Sequence, residues 1–107
     1  MSSEIDDACY YIAQNYAEDV SLEDIARYAH LSPTYFSKKF KKETGSAFIK
    51  YLISVRIQKA CRLLLISDDS ITDIAVKCGF SSANYLKDVF YREFNLSPRA
   101  YHNHHKQ

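Results

Sequence analysis

The sequence predicts an all-α fold of about seven helices, in which one helix-turn-helix motif occurs twice. Apolar residues recur at helical spacing along most of the chain, and only two glycines and two prolines interrupt it. No stretch alternates apolar and polar residues convincingly enough to predict a strand. A length of 107 residues suits one domain, or two very small lobes that share a core.

The individual helices are predicted from apolar periodicity and from start and stop signals. Apolar positions three or four residues apart mark six segments, at residues 5–16, 22–29, 36–40, 48–64, 71–75 and 85–90. A seventh helix is expected to start at Pro98. Serines suited to N-capping precede four of the predicted helices: Ser21, Ser32, Ser70 and Ser97. Gly45 follows the third helix and is typical of a left-handed C-cap.

These signals recur at a fixed offset along the chain. A shift of 49 residues aligns residues 21–31 with 70–80, and a shift of 50 aligns 35–51 with 85–101. The second shift places Asn95 opposite Gly45, and asparagine readily replaces glycine where φ must be positive. Two copies of a short helix, a tight turn and a longer helix therefore occupy one chain. A helical solenoid is the alternative, but two copies are fewer than a stable solenoid usually needs.

Both copies carry spaced residues that match a known pattern. The second copy contains the following set: Ile71, Ile74, Ala75, Gly79, Phe80, Ser81, Ser82, Tyr85, Leu86, Phe90, Ser97, Pro98 and Tyr101. This set resembles the signature of the AraC/XylS-type transcription regulators of bacteria. Residues 22–45 resemble the first helix-turn-helix of that family, and residues 56–64 resemble its linker helix. Three residues depart from the family pattern, namely Leu86 for phenylalanine, Asn95 for glycine and His102 for arginine. The last departure is expected to weaken a terminal phosphate contact.

The resemblance covers residues 5–102 and implies two helix-turn-helix subdomains joined by a long helix. Residues 1–107 are then one DNA-binding domain, with a first subdomain at 5–45, a linker helix at 46–67, a second subdomain at 70–102 and a tail at 103–107. A linker of about twenty residues is roughly 30 Å long at 1.5 Å per residue. Successive major grooves on one face of DNA lie about 34 Å apart. A rigid spacer of that length can hold two recognition helices one helical turn of DNA apart.

The net charge of +1 conceals an uneven distribution. Residues 1–32 hold seven acids and one base, a net charge of −6. Residues 33–62 hold eight bases and one acid, a net charge of +7, and residues 63–107 are neutral. The basic block covers the first predicted recognition helix and the linker, where a local positive field favours binding to duplex phosphates.

In the first recognition helix, Phe36 and Phe40 must face the core, so the opposite face is expected to contact DNA. Its candidate residues are Ser32, Thr34, Ser37, Lys38, Lys41 and Lys42. Lys38 can reach guanine acceptors, whereas Lys41 and Lys42 are expected to contact phosphates. Ser32 has two compatible roles, as an N-cap and as a phosphate donor. A solvated helix face is the alternative interpretation of the lysine cluster.

In the second recognition helix, apolar residues at 86, 89 and 90 are expected to point inward. The outward candidates are Ser82, Asn84, Lys87 and Asp88. Asn84 can pair with adenine or cap the turn, and the two interpretations remain open. Asp88 is unfavourable near phosphates but can accept a hydrogen bond from cytosine. We therefore hypothesise that the second motif binds more weakly or less specifically than the first.

Several other residues have competing interpretations. Tyr35 and Tyr85 are either phosphate contacts or, as we favour, partly buried aromatics at the rim of the motifs. Arg56 matches the linker arginine of the family pattern and is expected to join the two lobes. The three C-terminal histidines form a tail that can bind metal, but a frayed polar tail is favoured and no metal site is expected. Cys61 and Cys78 are expected to be small core residues.

The resemblance implies transcription regulation by sequence-specific binding to double-stranded DNA. It further implies RNA polymerase as a partner and an effector-binding or dimerisation domain outside this chain. The chain is then either a C-terminal fragment, as we favour, or a small stand-alone member of the family. No nucleophile elbow or phosphate loop is present, so neither an enzyme nor a bound cofactor is expected.

The composition also indicates where in the cell the protein is located. The longest aliphatic run, at residues 63–66, is far too short to span a membrane, and three unpaired cysteines favour a reducing cytoplasm. Two other functions remain as alternatives. One is a helical protein–protein adaptor with a basic face, and the other is the DNA-binding part of a multidomain repair protein.

Overall fold

The computed structural model describes residues 1–105. These residues form seven α-helices joined by short turns, and none of them forms a strand. The helices are α1 (Ser3–Asn15), α2 (Leu22–Tyr28), α3 (Pro33–Thr44), α4 (Phe48–Ile66), α5 (Ile71–Cys78), α6 (Ala83–Phe94) and α7 (Pro98–His105). The all-α prediction is confirmed.

The helices form two compact units. Unit 1 is Met1–Val55, and unit 2 starts at Arg56. The division falls inside α4, so unit 1 contains α1, α2, α3 and the start of α4. Unit 2 contains the end of α4 together with α5, α6 and α7. The linker helix predicted at residues 46–67 is therefore shared between the two units, and each unit uses part of it to cover its own core.

Serine hydroxyls cap six helices of the described chain, each accepting a hydrogen bond from the main-chain N–H three residues later. These residues are Ser2, Ser21, Ser32, Ser70, Ser82 and Ser97. The four predicted caps are among them. Each hydroxyl satisfies one of the amides that the first turn of a helix leaves unpaired.

Left-handed residues end the helices at equivalent places in the two copies. Gly45 after α3 has φ 81° and Asn95 after α6 has φ 56°. His30 after α2 has φ 61°, and Gly79 after α5 has φ 88°. The predicted exchange of glycine for asparagine at positions 45 and 95 is confirmed, because asparagine tolerates this conformation better than most residues with a side chain.

Aromatic rings fill the core of unit 1. Phe36 and Phe40 of α3 are fully buried with ring centroids 5.5 Å apart, and Phe48 of α4 lies 6.1 and 6.2 Å from them. Burying each of these side chains contributes roughly 1.5–3 kcal/mol. The stripe formed by the two α3 rings fixes the rotation of that helix about its axis.

In both units a tyrosine packs on a buried phenylalanine of the second motif helix: Tyr51 of α4 on Phe40 of α3, and Tyr101 of α7 on Phe90 of α6. The Phe40 and Tyr51 rings meet edge to face at 5.2 Å, and the Phe90 and Tyr101 rings do so at 5.1 Å. A hydrogen bond with the Cys9 thiol, together with burial, raises the pKa of Tyr51 to about 12. Burial and a bond to the Cys61 thiol likewise raise the pKa of Tyr101. The internal repeat therefore includes the core and not only the helix-turn-helix motifs.

Helix α7 continues to His105, three residues beyond the predicted boundary at 102. The His102 Nδ1 atom lies 2.6 Å from the main-chain oxygen of Leu64, so the ring donates to the last turn of α4. The Tyr101 and His105 rings lie 4.3 Å apart one turn along α7. These contacts order residues that we expected to fray; the rest of the predicted tail, Lys106 and Gln107, lies outside the described residues.

Replacing Gly45 with alanine is expected to destabilise the protein by about 1 kcal/mol, because a Cβ atom makes the left-handed conformation unfavourable. A Cβ atom at Gly45 would meet nothing within 4 Å, so the cost comes from the backbone alone. The free energy of unfolding in urea measures the effect. Gly45→Asn is the matched control, because asparagine occupies the equivalent position 95, and it should cost less than Gly45→Ala. Equal losses for both variants would contradict this explanation.

Candidate nucleic-acid interface

Each unit presents a short helix, a tight turn and a 12-residue helix. The turn is closed by the same main-chain bond in both copies. The Leu31 amide donates to the Ala26 oxygen and the Phe80 amide to the Ala75 oxygen, both at 2.9 Å. The left-handed residue before each of these amides makes the bond possible. Helices α3 and α6 are therefore the second helices of the two helix-turn-helix motifs that the repeat predicts.

The polar face of α3 is open to solvent. Phe36 and Phe40 are fully buried, whereas every candidate residue of the first motif is exposed: Ser32, Thr34, Ser37, Lys38, Lys41 and Lys42. Positions 34, 37, 38 and 41 lie on one side of the helix, because residues three and four apart share a face. In the described chain no acidic side chain pairs with Lys38, Lys41 or Lys42.

Lys39 differs from its lysine neighbours because it is held in an ion pair. Its Nζ atom lies 3.2 Å from Glu43 Oε2, and both side chains are largely shielded from solvent. The main-chain N–H of Ser2 donates to Glu43 Oε1 at 2.6 Å, and the Ser2 hydroxyl donates to Oε2 at 3.0 Å. The bond from the Ser2 amide, with those from the Ser2 hydroxyl and Lys39, lowers the pKa of Glu43. The bond to Glu43 raises the pKa of Lys39. Glu43 therefore ties α3 to the start of α1, and Lys39 is held beside it on α3.

The polar face of α6 is also exposed, but its charges differ. Leu86, Val89 and Phe90 are buried, whereas the predicted candidates are exposed: Ser82, Asn84, Lys87 and Asp88. The Ser82 hydroxyl accepts from the Tyr85 amide at 3.0 Å, so Ser82 and not Asn84 is the N-cap. The Asn84 amide therefore stands on the exposed face of the first turn.

The two motif tyrosines have different surroundings. Tyr35 is exposed, and its ring lies 5.8 Å from Lys39 Nζ. Tyr85 is partly buried and contacts the Phe80 ring edge to face at 5.8 Å. The rim interpretation describes Tyr85 well, whereas Tyr35 is too exposed to be called partly buried.

Tyr91 is an exposed residue that the sequence analysis did not select. It lies one turn beyond Lys87 and Asp88 on the outward face of α6, and 61% of its surface is exposed. The shift of 50 residues places it opposite Lys41, and places the exposed Arg92 opposite Lys42. Applying the repeat position by position would have found both residues.

Among residues 1–105 the C-terminal histidines are not gathered into a metal-binding group. His102 bonds to the main chain of α4, and across residues 1–105 no group of three potential metal-binding side chains comes together. None of the described helices combines the length and apolar character that crossing a membrane requires.

Comparison with known proteins identifies helix-turn-helix relatives. A family model described as a helix-turn-helix domain matches residues 25–104. Over 99 residues the chain is 40% identical to the regulatory protein PocR of Salmonella typhimurium, a match that covers 92% of this chain and 33% of PocR. The chain thus spans about a third of the length of this relative.

Solved structures share the whole fold. The DNA-binding domain of the global transcriptional factor AdpA, solved in complex with a target DNA, is 33% identical with a TM-score of 0.91. That match covers 96% of this chain and 93% of the AdpA domain. A transcriptional regulator from Chromobacterium violaceum, described as containing an AraC-type DNA-binding domain, is 30% identical with a TM-score of 0.90. The match covers 97% of this chain and 93% of that one.

The bonds that Glu43 makes with Ser2 and Lys39 predict that the stability of the protein depends on pH. Because the pKa of Glu43 is lowered by folding, its contribution is complete above its unfolded pKa of about 4.3 and is lost as pH falls through the folded value. Glu43→Gln should therefore be less stable than the unmodified protein near neutral pH, and the difference should shrink below about pH 4. Urea unfolding between about pH 3 and 7 measures this. Glu93→Gln is the matched control, since Glu93 is the exposed repeat equivalent and has no ion-pair partner among residues 1–105. Parallel pH profiles for the unmodified protein and Glu43→Gln would contradict the assignment.

Proposed function

The chain belongs to the AraC/XylS-type family of DNA-binding domains, and we propose that it binds duplex DNA sequence-specifically by placing α3 and α6 in adjacent major grooves. The family consists of DNA-binding domains of transcription regulators and is not a class of enzymes. The observation that carries the proposal is the pair of exposed polar faces, each opposite a buried apolar stripe on a capped 12-residue helix.

The first motif supplies most of the affinity in this proposal. Lys38, Lys41 and Lys42 are exposed and without acidic partners in the part of the chain that is described, so they meet phosphates without breaking an ion pair. Lys38 and the short side chains of Thr34 and Ser37 face the base edges, where lysine pairs with guanine acceptors. Lys41 and Lys42 lie further along the helix and contact phosphates, which position the protein without specifying sequence.

The second motif contacts the neighbouring half-site more weakly. Its outward face carries Asn84, Lys87 and Asp88, with one positive and one negative charge where α3 carries three lysines. Ser32 and Ser82, at the starts of the two recognition helices, keep a hydroxyl hydrogen for a phosphate oxygen while they cap the helix. Helix α4 has 19 residues and is about 28 Å long, which is compatible with the roughly 34 Å between successive grooves.

The wider role rests on the relatives. Because the chain spans a third of PocR, a further effector-binding or dimerisation domain belongs to the proposal, as does contact with RNA polymerase.

Selection from a randomised duplex pool, with sequencing of the retained DNA at physiological salt, tests the proposal that the chain binds duplex DNA sequence-specifically. Recovery of a two-part motif supports it. Recovery of no motif, with salt-sensitive binding to an acidic protein instead, would favour a protein–protein adaptor.

Lysine variants on α3 separate base contacts from phosphate contacts. Lys38→Ala should weaken binding to the selected sequence by about 1–3 kcal/mol and relax the preference at one base pair. Lys42→Ala should weaken binding to every duplex alike and reduce the salt slope by about one. Titration of selected and scrambled duplexes over a range of salt concentrations measures both effects. Lys39→Ala is the charge-matched control, because the Lys39 ammonium is held by Glu43, and its loss of DNA affinity should be smaller. Equal, sequence-independent losses for Lys38→Ala and Lys42→Ala would refute the assigned roles.

The two half-sites should differ in their sensitivity to base substitution. We expect larger losses of affinity in the half-site bound by α3 than in the one bound by α6, because Thr34, Ser37 and Lys38 of α3 face the base edges and the second motif binds its half-site more weakly. Competition binding with single base-pair substitutions across the selected site measures the losses, each typically about 1–3 kcal/mol. Larger losses in the second half-site would exclude the proposed weighting.

A further inference from the structure

Position 88 distinguishes the second recognition helix from the first. Both helices have 12 residues, a serine N-cap and a left-handed residue at the end, so a shift of 50 gives equivalent positions. Lys38 in α3 then corresponds to Asp88 in α6. We propose that Asp88 is a specificity-determining residue that selects cytosine at one position of the second half-site, where the first motif selects guanine. This inference rests on the proposed function.

The Asp88 carboxylate is available for such a contact. Its side chain is exposed, and within residues 1–105 no hydrogen bond or ion pair engages it. Arg92 lies one turn further along the same face, a spacing that permits a pair, yet the two side chains do not form one. The other exposed acid of α6, Glu93, lies away from the outward face because it is five residues from Asp88. Asp88 is therefore the acid that α6 presents beside Asn84 and Lys87.

The chemistry of a carboxylate restricts which base it can contact. An ionised aspartate only accepts hydrogen bonds. In the major groove guanine presents two acceptors, and thymine presents an acceptor and a methyl group, so both repel the carboxylate. Adenine presents an amino donor beside an acceptor, which suits an amide better than a carboxylate. Cytosine presents an amino donor and is the base that aspartate pairs with most favourably.

The charges around Asp88 make its approach to DNA feasible. Lys87 precedes it and Arg92 follows it by one turn, so two positive side chains offset its repulsion from phosphates. The adjoining Tyr91 is neutral where α3 has Lys41. The second helix thus has less affinity for phosphates in general but keeps a base-dependent contact.

Selection from randomised duplexes with three proteins tests the proposal: the unmodified chain, Asp88→Lys and Asp88→Asn. The unmodified chain should retain cytosine at one position of the second half-site. Asp88→Lys should change that preference to guanine, and Asp88→Asn should change it to adenine, while the first half-site stays the same. Direct titration should show a change in the ratio of affinities for the two bases of roughly tenfold or more. Glu93→Gln removes the same charge from the same helix and should leave the preference unaltered.

The outcomes separate this inference from the proposed function. If the Asp88→Ala variant binds all duplexes more tightly and its base preference is unchanged, Asp88 only repels phosphates. That result would overturn the inference. A motif in the unmodified chain that lacks cytosine preference in the second half-site would also overturn it, while leaving sequence-specific binding intact. Failure of the unmodified chain to select any motif would instead refute the proposed function, and the inference with it.

Discussion

The burial of an apolar stripe on the second helix of each helix-turn-helix motif, α3 in unit 1 and α6 in unit 2, is the constraint on which the rest of the structure depends. Phe36 and Phe40 are fully buried in unit 1, and Leu86 and Phe90 are fully buried in unit 2. A helix has one rotation about its axis that buries such a stripe, so the opposite face is necessarily turned to solvent. The polar side chains of α3 and α6 that we propose to contact DNA stand on that face. The packing of the core thus determines which residues are available for recognition.

The repeat extends from these stripes into the surrounding core. In each unit a tyrosine packs edge to face on a buried phenylalanine of α3 or α6, and its hydroxyl is hydrogen-bonded with a cysteine thiol on the helix that opens the unit. Tyr51 and Cys9 have this role in unit 1, and Tyr101 and Cys61 in unit 2. Helix α4 closes the core of unit 1 with its first residues and opens that of unit 2 with its later ones. Because α4 contributes to both units, this helix is itself the linker between the two motifs.

The charged side chains of α3 and α6 differ in their partners, although the two helices occupy equivalent positions in the repeat. Four lysines lie within five residues on α3, yet Lys39 is held by Glu43, which also accepts from the amide of Ser2. The neighbouring Lys38, Lys41 and Lys42 have no acidic partner among residues 1–105. The equivalent carboxylate on α6, Glu93, is exposed and makes no such bridge among the described residues. The two motifs therefore share a scaffold but differ in how much free positive charge they present.

The sequence by itself determined the helices, their order, four of their caps and the left-handed residues at 45 and 95. These features depend on neighbours in the chain, such as a serine before a proline or a glycine after an apolar stripe, and so they can be recognised locally. The buried and exposed faces of α3 and α6 also followed from periodicity. Only the tertiary structure decided that Ser2 holds Glu43 in place beside Lys39, because Ser2 and Glu43 are 41 residues apart. It also decided that α7 continues to His105, since the bond from His102 to Leu64 spans 38 residues. Contacts of that range arise from how the helices pack, and no local pattern records them.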